Sequence, residues 1–119
     1  MKQLTFASLQ VKDLEASKNF YTQKLGFEID NANPQACVFK YNKGEASFAI
    51  RTPLEPLNGK ELGTGVALWF AVDENLEKLI QKFKDNGITE VVGIFETPFG
   101  RAFHVNDIDG YKLTFLDPK

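Results

Sequence analysis

From Leu4 to Val11 the chain alternates apolar and polar residues, in "LTFASLQV", and the pattern breaks at Asp13, a residue suited to cap a helix. The next stretch, "LEASKNFYTQKL", sets Leu14, Tyr21 and Leu25 on one side with Phe20 beside them, and Gly26 supplies a stop. This spacing predicts a helix over 14–25. "FEIDNA", "QACVFKYN" and "EASFAIRT" then read as three strands, separated by Asn-Pro and Asn-Lys-Gly turn signals. The first half is therefore expected to be β-α-β-β-β.

The second half repeats the plan. "VALWFAVD" (66–73) reads as a strand, and Asp73 is expected to begin a helix through Leu76, Leu79, Ile80 and Phe83, whose i, i+3, i+4, i+7 spacing makes one apolar face. Glu74 and Glu77 occupy its first turn and Lys82 and Lys84 come later, as the helix dipole favours. Asn86-Gly87 ends it, and strands follow at 88–95, 101–106 and 111–116. Val11 and Val72 close the two opening strands, and Gly26 and Gly87 stop the two helices. Both pairs are 61 residues apart (72−11 and 87−26), which points to an internal duplication. The expected organisation is a single domain, 1–119, made of a first unit at 1–52, a Pro/Gly-rich connector at 53–64 and a second unit at 65–119.

Alternation also assigns faces. Ala7, Leu9 and Val11 form one uniformly apolar side, Leu68, Phe70 and Val72 another, and Phe103 and Val105 match them; these sides are expected beneath the helices. Phe6, Ser8, Gln10, Trp69, Ala71, Ala102, His104 and Asn106 then point the other way.

Composition narrows the function. At 43% hydrophobic and 25% charged, with a net charge of −2 and both signs interspersed, the chain has no basic stripe for nucleic acid. No apolar run is long enough to span a bilayer, and "MKQLTFASLQVKD" lacks the pattern of a signal peptide. The single Cys37 cannot form an internal disulfide, so a reducing, cytoplasmic setting is expected. With 11 Phe, 3 Tyr and 1 Trp, some aromatic side chains are available to line a cavity as well as a core. Motifs for phosphate loops, nucleophile elbows, zinc-binding helices and paired cysteines are absent.

The duplicated unit together with "VKDLEASKNFYTQKLGF" (11–27) and "DIDGYKLT" (107–114) resembles the vicinal oxygen chelate superfamily, which includes glyoxalase I, extradiol dioxygenases, fosfomycin-resistance enzymes and bleomycin-resistance proteins. The resemblance implies an α+β fold in which two tandem βαβββ units form a curved, incomplete eight-stranded barrel-like sheet around a cavity. It also implies where metal-using members hold a cation. Those positions are Phe6, seven residues before Asp13; Ala67, 61 residues on; Thr114, four after Gly110; and Ala49 on the fourth strand. Phe and Ala have no donor atoms for a cation, and one Thr hydroxyl replaces a carboxylate poorly. The opening strands 4–11 and 66–72 contain no Asp or Glu to make an oxygen site. No metal, cofactor or catalytic residue is therefore expected.

What remains is a lining of Phe6, Ser8, Arg51, Trp69, His104, Asn106 and Thr114, a mixture of aromatic plates and a few polar groups suited to a small ligand. The bleomycin-resistance type has a tryptophan on the strand that opens the second unit, which Trp69 resembles. Its aromatic loop is similar to "PFGRAF" (98–103), which adds Phe99 and Arg101 as ligand-binding candidates. The resemblance thus implies a metal-free protein, homodimeric, that sequesters a small organic molecule such as an aromatic antibiotic. Two alternatives stand beside it. One is a lyase or dioxygenase with an atypical metal site, or with His104, the sole histidine, as acid/base; the other is a partner-regulated module without a ligand. At the sequence level His104 stays open between pocket hydrogen-bonding group, structural strand residue and catalytic base, Trp69 and Phe99 between ligand stacking and core, and Arg51 and Arg101 between ligand contact and surface ion pair.

Overall fold

The computed structural model describes residues 1–118. The chain divides into two compact units, Met1–Lys60 and the residues from Glu61 onward. Each is an α+β assembly of one mixed four-stranded sheet and one helix.

In the first unit the strands are β1 (Phe6–Gln10), β2 (Ile29–Asn33), β3 (Ala36–Phe39) and β4 (Ser47–Arg51), with spatial order β1-β4-β3-β2. β1 runs parallel to β4, and the other pairings are antiparallel. Helix α1 (Leu14–Asn19) continues into a π-helical turn at Phe20–Lys24. The helix-facing side of the sheet is packed with rings. Tyr21 lies 5.3 Å from Phe39 and 5.9 Å from Phe48, which are themselves 4.8 Å apart. Leu9, Val11, Cys37 and Ile50 complete this core.

The second unit repeats the topology. Its strands are β5 (Ala67–Ala71), β6 (Val91–Thr97), β7 (Gly100–Asn106) and β8 (Lys112–Pro118), with order β5-β8-β7-β6 and β5 parallel to β8. Helix α2 (Leu76–Asp85) sets Phe83 5.9 Å from Phe103 and 5.2 Å from Phe115, and Phe115 stacks between Phe70 and Phe103 at 5.6 and 5.4 Å. Burying Phe-sized side chains at about 25 cal/mol per Å² is the main stabilising term for such a core. The face predicted to lie under the helix, Phe103 and Val105, does so, and both are fully buried.

Most strand ends shift by one to three residues from the sequence expectation, and three of the differences have a clear physical reason. The 14–25 helix is α-helical only to Asn19, because the Leu25 N–H donates to the Phe20 carbonyl (3.1 Å), a turn holding one residue more than an α turn. The second helix is capped by Asn75, whose side chain accepts from the Lys78 N–H (2.9 Å), and not by Asp73. β6 starts at Val91, since the Ile88 N–H is used to close the end of α2 on the Phe83 carbonyl (2.9 Å). The first two differences are linked. Caps Asp13 and Asn75 are 62 residues apart (75−13), whereas the strand ends and stop glycines are 61 apart. The first unit has one residue more between cap and glycine, and the π turn absorbs it.

Candidate functional site

Strand register determines which of the singled-out side chains share a face. In the second unit Trp69 pairs with Thr114, Thr114 with His104, and His104 with Val92, so these four form one row across the sheet on the side away from α2. Ala67, Lys112 and Asn106 form the adjacent row. Trp69 is 49% exposed and Thr114 only 1%, so the row offers an open indole beside a buried hydroxyl.

A hairpin turn brings Phe99 to this row. Thr97 pairs with Gly100 across the two-residue turn Pro98-Phe99, and the Thr97 hydroxyl both donates to the Gly100 carbonyl (2.7 Å) and accepts from the Phe99 N–H (3.1 Å). The Phe99 ring sits 6.5 Å from Trp69 at 85°, an edge-to-face contact. Phe99 is itself exposed, so the pair makes an aromatic corner open to a ligand.

His104 is half-buried with its ring 5.8 Å from Phe95 in an edge-on arrangement. Burial, and secondarily the positive charge of Lys112, hold the imidazole below its ordinary 6.5. This favours the uncharged imidazole, in which one nitrogen donates and the other accepts. A neutral, amphoteric ring beside aromatic plates suits recognition of carbonyl and hydroxyl groups.

The first unit presents a related face. Phe6 pairs with Ser47, Ser8 with Ala49 and Gln10 with Arg51, placing Phe6, Ser8 and Arg51 on the side away from α1. Phe6 is 46% exposed. The Arg51 Nε–H donates to the neighbouring Thr52 carbonyl (3.0 Å), and among the described residues no carboxylate pairs with it. The Gln10 side chain is engaged elsewhere, accepting from the Leu54 N–H (3.0 Å).

Arg101 lies on the other side of its strand. It belongs to the Glu96–Arg101–Asp117 row and pairs with Glu77 of α2 at 2.9 Å, away from Trp69 and His104. Conversely, Lys112 sits on the Trp69 face although the sequence reading did not single it out. The signal was present, because Lys112 is two residues before Thr114 and alternation alone puts both on one side. A pocket of about 300 Å³ opens at this end of the face, lined by Gly63, Gly65, Val66 and Ala67 and by Asn106, Gly110 and Lys112.

The positions that would hold a cation can be judged from their chemistry. Ser8–Ala49 and Trp69–Thr114 occupy the same register in the two parallel strand pairs, which matches Ala49 with Thr114; Phe6 and Ala67 lie two residues earlier. Phe6 and Ala49 in the first unit and Ala67 in the second have no donor, and Thr114 has one neutral hydroxyl. This set does not fit a divalent ion, which needs several oxygen, nitrogen or thiolate ligands. Among the described residues no three His, Cys, Asp or Glu side chains converge elsewhere.

Comparison with known proteins adds the lineage. A family model described as the glyoxalase/bleomycin resistance protein/dioxygenase superfamily matches residues 3–115. Among solved structures, TnmS3, an antibiotic binding protein from Streptomyces sp. CB03234, is similar with a TM-score of 0.79 at 21% identity, covering 100% of this chain and 98% of its own. A glyoxalase/bleomycin resistance protein from the same Streptomyces strain gives 0.75 at 21% identity, covering 97% and 100%. Lactoylglutathione lyase from Agrobacterium tumefaciens gives 0.74 at 18% identity, covering 98% and 94%. No curated protein sequence matches the chain.

Proposed function

Because the chain belongs to the glyoxalase/bleomycin resistance protein/dioxygenase superfamily, we propose that it is a metal-free small-molecule binding protein that sequesters a planar aromatic compound of the antibiotic type. The observation behind this reading is the open aromatic corner of Trp69 and Phe99, set in the same row as His104 and the Thr114 hydroxyl. The superfamily's cation positions in the same sheets hold Phe6, Ala49, Ala67 and Thr114, which favours binding over metal-assisted chemistry. The antibiotic binding protein from Streptomyces, with its similar fold, supports the choice of ligand class. In the first unit Phe6, Ser8 and Arg51 form a second aromatic and polar face, which we assign to ligand contact as well. Exposed Phe6, Val92 and Phe99 support a homodimer, and the free, buried Cys37 supports a reducing compartment.

Trp69 is the sole tryptophan, so its fluorescence reports this face alone. Titration with a panel of planar aromatic antibiotics is expected to give at least one member that quenches it saturably. That member should also stabilise the native state, by about 2.7 kcal/mol at a hundredfold excess over Kd. Trp69→Phe should weaken binding about tenfold by calorimetry, corresponding to about 1.4 kcal/mol. If no member quenches or stabilises, or if the purified protein holds stoichiometric metal that is lost when Thr114 or His104 is replaced, the reading fails and the enzyme alternative takes its place.

A further inference from the structure

We infer that the pocket between Lys112, Asn106 and the 63–67 segment binds an anionic group, carboxylate or phosphate, and that the ligand of the Trp69 face is therefore an aromatic acid. The second half of this statement rests on the aromatic reading above; the first half stands on the pocket alone.

The pocket's charge is one-sided. Among the described residues Lys112 is the only ionisable one lining it, and its ammonium makes no ion pair there. The Asn106 side-chain amide, exposed at the same spot, makes no hydrogen bond among the described residues. Asp107, the acid next in sequence to Asn106, is buried. Its Oδ1 is occupied in accepting from the N–H groups of Asp109 and Tyr111, both at 2.9 Å, and it does not line the pocket. A lone cation beside an uncommitted amide is a charge-assisted recognition pair for an oxyanion.

The walls suit a small oxyanion too. Gly63, Gly65 and Gly110 all have positive φ, and they leave the backbone bare along the rim. A Cβ on Gly65 would meet nothing within 4 Å, whereas one on Gly63 would collide with the Gly110 carbonyl and the Tyr111 nitrogen. Gly63 thus locks the 63–67 segment onto the 107–110 turn, while Gly65 keeps the space beside it clear. About 300 Å³ lies at the small end for ligand sites, enough for a carboxylate- or phosphate-bearing fragment.

Position joins the pocket to the aromatic corner. Ala67, Lys112 and Asn106 form the row next to Trp69, Thr114 and His104 on one face, about 7 Å along the strands. The Lys112 charge is felt at His104, where it helps lower the imidazole pKa.

The test uses the full chain and two probes, acetate and inorganic phosphate, at constant ionic strength made up with chloride. By 1H–15N NMR, saturable shifts are expected at Gly65, Gly110 and the Asn106 side-chain amide. Lys112→Gln should weaken binding about tenfold, and Lys112→Arg should restore most of it. Lys112 is exposed, so its variants are expected to fold, which the same spectra verify. Response to acetate alone identifies a carboxylate ligand, and response to phosphate alone a phosphate ester. No saturable shift with either anion, or equal affinity in Lys112→Gln, overturns the pocket assignment. A second pair, naphthalene-2-carboxylate and naphthalene-2-carboxamide, tests the link to Trp69. The acid should bind more tightly in the wild type and lose that advantage in Lys112→Gln, and equal affinities in the wild type overturn the aromatic-acid inference. If neither compound quenches Trp69, the aromatic-acid inference falls and the result counts against the proposed function, while the acetate and phosphate titrations still decide the pocket.

Discussion

His104 shows how much one side chain's surroundings decide. Its imidazole is held below 6.5 by burial and then by Lys112. The folded chain therefore resists a proton that the unfolded chain accepts. Because the unfolded state binds more protons, stability is lost as pH falls from about 6.5 through the depressed folded value, and is unaffected above that window. Glu45, held below 4.5 by the Asn42 backbone N–H, and Glu77, held below 4.5 by Arg101, act at lower pH. We expect the melting midpoint of the wild type to fall between pH 7 and about 5, and the fall to be smaller in His104→Gln. Identical pH profiles for the two proteins would contradict this. Arg101 and Lys112 make the complementary point. The alternation that put Phe103 beneath the helix also puts Arg101 there, and the alternation that turns Thr114 away from the helix turns Lys112 the same way. A short-motif likeness around "PFGRAF" drew Arg101 into the site against its own strand period.

At the scale of elements, the two helices differ by one residue and the fold absorbs it locally. Phe20 and Tyr21 are adjacent in sequence and both buried, and the π turn is where the extra residue is stored between Asp13 and Gly26. The turn after β7 is organised by Asp107, whose carboxylate satisfies two N–H groups, one of them the buried Tyr111 N–H. Asp107→Ala would leave those donors without that acceptor. It should cost about 1–3 kcal/mol in chemical denaturation, and because Gly110 of the same turn lines the pocket, it should weaken anion binding there. Quenching of Trp69 by an aromatic ligand should persist in the folded fraction, since Trp69 is held by β5 and β8. Loss of quenching with unchanged stability would be the contrary result.

For the whole molecule, duplication makes the comparison internal. Each unit has the same strand order and the same parallel pair, yet the faces away from the helices differ: Phe6 and Ser8 in the first, Ala67 and Trp69 in the second. The four positions Phe6, Ala49, Ala67 and Thr114 do not make a donor set that fits a divalent ion, and among the described residues no three His, Cys, Asp or Glu side chains converge. Treatment with a chelator is therefore expected to leave both the unfolding midpoint and ligand quenching of Trp69 unchanged. A drop in either that is restored by nickel, zinc, iron or manganese would instead reveal a metal role.

Residue order by itself determined the two βαβββ units and the buried and open faces of β1, β5 and β7, which follow from each strand's own period of two and are local. The absence of a donor set at Phe6, Ala49, Ala67 and Thr114 was also legible in the sequence, at positions that the family resemblance supplied. Only tertiary structure decided the rest. The rows Trp69–Thr114–His104 and Ala67–Lys112–Asn106 depend on register between β5 and β8, whose paired residues are 45 positions apart (114−69). The meeting of Phe99 with Trp69 and of Gly63 with Gly110 likewise needs segments far apart in the chain to be brought together. Long-range pairing sets those contacts, and a strand's periodicity has no information about its partner's register.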